Sequence, residues 1–153
     1  MLQISTSIFI ILISAILLNQ IVNFHKIIKI PNTLSIYVYL MLSLPMMKIS
    51  PAWQILTTNL LLILSYWELI KSQSGNKEKS LFNSGFYIGV MIIINYYNLL
   101  FFILLLSALI YYKHTSWEFF TIPIIGVLST LTLFFSFTYY IKPQLYQLRL
   151  IPL

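Results

Sequence analysis

From Leu81 to Tyr112 the chain runs for 32 residues without one formally charged side chain. A straight α-helix of that length would measure about 48 Å at 1.5 Å per residue. The hydrocarbon of a bilayer is only about 30 Å thick, which some 20 apolar residues cross. The run must therefore break, and Asn95-Tyr96-Tyr97-Asn98 supplies the polar stretch at which it does so. Two short helices, 82–95 and 98–112, fit better than one. They form either two full spans or a hairpin with a shallow tip.

The rest of the chain has the same character. Of its 153 residues 59% are hydrophobic and 8% are charged, against about 25% charged in an ordinary soluble domain. Nine Lys and Arg with three Asp and Glu are too few to coat a globule of this size, which excludes a lone soluble domain and intrinsic disorder. An all-α, polytopic membrane protein remains. The chain has no Cys, and so no disulfide framework, thiolate nucleophile or Cys-ligated metal. Its positive residues stand singly or in pairs between apolar runs, so the net charge of +6 suggests lipid anchoring rather than nucleic acid.

The pattern predicts about six membrane segments in one integral membrane domain: 4–24, 33–47, 52–70, 82–95, 98–112 and 119–141. The first lacks a basic n-region and a small-x-small cleavage site, and reads as a retained helix rather than a secretory signal. The second is marginal at about 15 residues, and five segments is the alternative if it fails to cross. Residues 71–80 form the main exposed loop. Trp53 at one end of the third segment and Tyr66 and Trp67 at the other mark the two interfaces. With six spans, one side of the membrane gathers Lys26, Lys29, Lys71, Lys77, Lys79 and Lys113, and the other Lys48, Lys142 and Arg149. The bias places both termini outside the cytoplasm. No internal sequence repeat is evident.

Ionisable side chains within hydrocarbon are costly and usually functional, and here they are nearly missing. Glu68 is the only carboxylate associated with a segment. A proton or cation site is one reading of it. An interfacial pair with Lys71, three residues on along the same helix face, asks less of it. His25 and His114 stand at segment ends beside Lys, too isolated to make a metal site. No catalytic residue, metal or cofactor is expected.

The amides are the more informative polar set. Asn19 and Asn23 share a helix face, with Gln20 adjacent, and Thr57, Thr58 and Asn59 lie inside the third segment. Asn95 and Asn98 flank the break. In lipid an amide seeks an interhelical partner, so these side chains either hold a bundle together or line a polar pathway. Gly85 and Gly89 form a GxxxG pair beside Ser84, a face on which another helix backbone can approach closely. Gly126 and Thr130 form a weaker pair of small residues. Pro123, inside the last segment, predicts a kink. The 25 aromatic residues supply contact surface and interface anchors.

Several stretches are similar to an uncharacterised family of multi-pass membrane proteins of the Bacteroidota. They are LFNSGFYIG from Leu81 to Gly89, the apolar run through Phe101-Phe102 to Tyr112, SWEFF from Ser116, and IPIIG ending at Gly126. Lys113 stands near the family's basic position, and Trp117-Glu118 resemble its junction. The resemblance covers about residues 10–140, and the family's members are longer, with extra spans on either side. It implies an inner-membrane location and no established enzyme activity, and it transfers no catalytic residue.

These observations lead to the expectation of a non-catalytic integral membrane subunit or scaffold, packing helix to helix with other integral membrane proteins and with lipids. Gly85, Gly89, Ser84 and Gly126 are the expected partner surface, and a second copy of the chain is one candidate partner. A small transporter or lipid-handling protein with an Asn- and Thr-lined pathway is the alternative. Richness in Ile, Asn, Lys and Tyr would also suit an organelle-encoded respiratory subunit. A membrane enzyme is least supported, because general acid–base catalysis needs positioned titratable groups.

Overall fold

The computed structural model describes residues 2–24, 33–43, 45, 52–73, 75–111 and 117–141. These form six α-helices, with no strand among the described residues: α1 (Leu2–Phe24), α2 (Leu34–Ser43), α3 (Ala52–Lys71), α4 (Lys77–Ile94), α5 (Leu99–Tyr111) and α6 (Trp117–Ile141). A 3-10 turn, Tyr96–Asn98, separates α4 from α5. Helix is the expected solution for such apolar sequence, because it satisfies every interior backbone N–H and C=O within its own segment. The helices fall into two compact units, one ending at Ser80 and the other beginning at Leu81, one turn into α4.

In the first unit α1 packs against both α2 and α3. Along α1 the covered positions Ser7, Ile11, Ser14, Leu18 and Ile21 recur at alternating spacings of four and three. That is the seam of a left-handed helix pair. Ser7 and Ser14 on this seam, with Ala15 beside it, are almost wholly buried, and small residues there let neighbouring backbones come close. Ser14 returns its hydroxyl to the Ile10 carbonyl at 2.8 Å, so its burial leaves no unsatisfied donor. Ile21, near the end of α1, clusters with Ile63 and Ile70 from the second half of α3. The two helices therefore run in the same direction. Leu17, Leu18, Tyr39 and Trp67 close around this cluster.

The second unit has the same logic. Gly85 lies against Pro123, and Gly89 against Val127 and Thr130. Positions advance together along α4 and α6, so these helices are also parallel. Each unit thus pairs its first and third helices in parallel through small residues.

Three features differ from the sequence expectation. The second segment, expected over 33–47, is a helix only over Leu34–Ser43 among the described residues, about 15 Å long. The loop expected over 71–80 is shorter. The α3 helix continues through Lys71, Ser72 and Gly75 donate back to the carbonyls of Glu68 and Lys71, and α4 already begins at Lys77. Asn76 caps that start, its side chain accepting from the Lys79 N–H at 3.5 Å, with Glu78 in the first turn where the helix dipole favours it. Lastly, among the described residues two helices are long and apolar enough to cross a membrane, over Ser5–Asn23 and Trp117–Tyr140. Both α2 and α5 are apolar but shorter.

Candidate functional site

Helix backbones approach closely at the glycines of the second unit. A β-carbon added at Gly85 would fall within 3 Å of the Pro123 backbone, and one at Gly126 would lie 2.5 Å from the Phe82 carbonyl and 2.9 Å from the Phe86 nitrogen. At Gly89 the obstruction is Thr130, at 2.8 Å. Thr130 also donates across the crossing to the Phe86 carbonyl at 3.2 Å and within α6 to Gly126 at 3.0 Å. Ser84, fully buried, donates to the Leu81 carbonyl at 2.8 Å. The small-residue face of α4 is thus a packing face, and its occupant is α6 of the same chain. As a surface for another protein, Gly85, Gly89, Ser84 and Gly126 are already covered.

Four of the five singled-out Asn residues have defined hydrogen bonds. Asn19 accepts from the Ser35 hydroxyl at 2.8 Å, joining α1 to α2, and Asn59 donates to the Tyr39 phenol at 2.8 Å, joining α3 to α2. Asn95 caps the 3-10 turn by accepting from the Tyr97 N–H at 3.2 Å. Buried Asn98 donates back to the Met91 carbonyl at 2.7 Å, as a second donor beside the Asn95 N–H at 3.0 Å. Thr57 bonds its own helix at Trp53. These amides are therefore spent on structure, with one local exception.

That exception is an open groove of about 530 Å³ in the first unit, lined by Asn19, Gln20 and Asn23 of α1 and by Trp67 of α3. Among the described residues, Gln20 and Asn23 have no hydrogen-bond partner for their amides. The parallel packing of α1 and α3 brings the three amides level with Trp67. The sequence placed Asn19 and Asn23 on one face and marked Trp67 as interfacial. It held no signal that they meet.

Glu68 and Lys71 approach to 3.8 Å, with the carboxylate mostly covered and the ammonium more than half exposed. The Tyr96 and Tyr97 rings lie 4.0 Å apart. A hydrogen bond with Tyr97 holds the Tyr96 phenol above its ordinary value. Among the described residues, no three His, Asp or Glu side chains gather where they could hold a metal ion. The sequence expectations for His25, Lys26, Lys29, Lys48, Lys113, His114, Lys142 and Arg149 lie outside the described residues.

The described residues form an all-helical fold, and two of its helices are able, by length and composition, to cross a membrane. No protein-family model, curated protein or solved structure matches the chain.

Proposed function

We propose that the chain is a multi-pass integral membrane protein of six segments, working as a non-catalytic subunit or scaffold in a larger assembly of the bacterial inner membrane. The observation that carries this reading is the coverage of α6. Only 17% of its 24-residue apolar span is buried, where the core helix of a soluble domain would be mostly covered. Leu133, Phe134, Phe135, Phe137, Tyr139 and Tyr140 in its second half are all exposed. A patch of that size is not tolerated in water, and it suits lipid or the helices of a neighbouring membrane protein. Because α6 covers the glycine face, this aromatic half of α6 is the surface the reading assigns to a partner. The inner-membrane location rests on the family resemblance.

The test is gentle purification from native membranes with mass spectrometry of what stays bound. A fixed stoichiometric membrane partner, lost on changing Phe135 and Phe137 to Ala, supports the reading. A clean monomer or homo-oligomer overturns the subunit role. The second reading, transport or lipid handling, draws on the amide-lined groove. It predicts loss of flux when Gln20 or Asn23 of that groove is replaced while assembly is unaffected.

A further inference from the structure

We propose that the groove between the ends of α1 and α3 holds the phosphodiester headgroup of a membrane phospholipid. Depth comes first. Asn19, Gln20 and Asn23 occupy the last turn and a half of the apolar span Ser5–Asn23, and Trp67 stands one turn before the end of α3. That is the headgroup level of a bilayer, where Trp is enriched. The inference rests on the membrane reading given above, and is independent of the subunit role.

The chemistry of the lining selects the ligand. An Asn amide carries one acceptor oxygen and two N–H donors. Ser35 donates to the Asn19 oxygen at 2.8 Å, which fixes the amide so that its NH₂ is the group left to present. Gln20 and Asn23 are uncommitted and can turn their NH₂ groups the same way. Three amides offering N–H donors favour a ligand made of acceptors, and a phosphodiester is acceptor-only and charged, which strengthens each bond. No carboxylate lines the groove. Glu68, next to Trp67 in sequence, is paired with Lys71, so its charge is offset. Ile16 and Leu12, one and two turns before Gln20 on the same face of α1, are exposed and offer an apolar surface along which the acyl chains can lie.

The full chain, purified in detergent, would be examined by native mass spectrometry with phosphatidylglycerol, a glucosyl diacylglycerol and plain diacylglycerol as probes. Wild type retains phosphatidylglycerol in preference to the other two. Gln20→Ala with Asn23→Ala lowers that retention tenfold or more. The Asn19–Ser35 bond is left in place, so the unfolding temperature stays within a degree or two. Gln20→Glu, isosteric but anionic, expels phosphatidylglycerol and leaves the glucosyl lipid unaffected. Unchanged retention in both variants overturns the proposal. So does equal binding of the glucosyl lipid or diacylglycerol, and so does displacement of the lipid by an equal concentration of glycerol 3-phosphate. Release of the chain from membranes by alkaline carbonate would be a separate failure, that of the membrane reading itself.

Discussion

Gly85 and Pro123 meet backbone to backbone: a β-carbon on the glycine would lie 2.7 Å from the proline Cα. No side-chain rotation relieves that contact, because the obstructing atoms belong to the main chain. Alanine at a helical glycine ordinarily gains about 1 kcal/mol in propensity, whereas overfilling a packed contact costs about 1–3 kcal/mol. The steric cost wins here. Gly85→Ala should destabilise the second unit by roughly 1–2 kcal/mol, the range left when propensity offsets overpacking. Gly126→Ala should do the same, since its added carbon meets the Phe82 carbonyl. The double variant should lose less than the sum of the two single losses, because either change forces the same helices apart. Gly75→Ala is the control: its added carbon meets only the Lys71 carbonyl, at 3.6 Å, and stability should change by less than about 0.5 kcal/mol. Thermal or denaturant unfolding in detergent measures all four.

The two Asn residues of the α4–α5 break should differ in weight. Asn98 is 8% exposed and donates to the Met91 carbonyl, while Asn95 is exposed and caps a single turn. Replacing Asn98 by Leu removes this buried bond, a loss of about 0.5–1.5 kcal/mol, while the Met91 carbonyl keeps the Asn95 N–H at 3.0 Å. Asn95→Ala removes only a cap, about 1 kcal/mol or less. An equal or reversed order in unfolding experiments would mean that the buried bond is not what secures the turn.

Much of this arrangement was visible in the sequence, and the limit has a physical cause. The uncharged run with its Asn95–Asn98 interruption contains its own break, because its length exceeds what a bilayer accommodates. Gly85 and Gly89 identify a tight face, because only close backbone approach rewards two glycines one turn apart. What lies on that face is not encoded in the spacing, and it is α6 of the same chain. The α1–α3 pairing is harder still. In a helix apolar on every side, no contrast between hydrophobic and polar positions marks the buried stripe. Only the small residues Ser7, Ser14 and Ala15 betray it. The amides are similar: Asn19 and Asn59 are evident as polar residues in apolar segments. Their partners Ser35 and Tyr39, 16 and 20 residues away, become evident only when α2 is laid beside α1 and α3.

Tyr39 and Asn59 offer a direct measure of what one such bond contributes. A double-mutant cycle with Tyr39→Phe and Asn59→Leu should give a coupling of roughly 0.6–2 kcal/mol, the range for interhelical hydrogen bonds in membranes. Each single change should leave any flux unaltered if Asn59 is a strut. Lost transport with a coupling near zero would instead assign Asn59 to a pathway.

The placement of α6 in lipid can be tested at one residue. Leu128 lies near the middle of Trp117–Tyr140 and is 54% exposed. If that surface faces hydrocarbon, Leu128→Lys puts an ammonium at the centre of a span, at about 2.5–3.5 kcal/mol against insertion. If it faces water, the same change is a surface substitution within about 0.5 kcal/mol. The neighbouring buried position would not discriminate, since Val127 is covered by protein in either case. Insertion can be read by engineered glycosylation sites on either side of α6 in a microsomal assay. A fall in the inserted fraction of tenfold or more is the outcome expected of a membrane span. Absence of an inserted fraction in the unmodified chain, with Leu128→Lys changing its folding stability by less than about 0.5 kcal/mol, would place α6 outside the bilayer and remove the main support for a multi-pass protein.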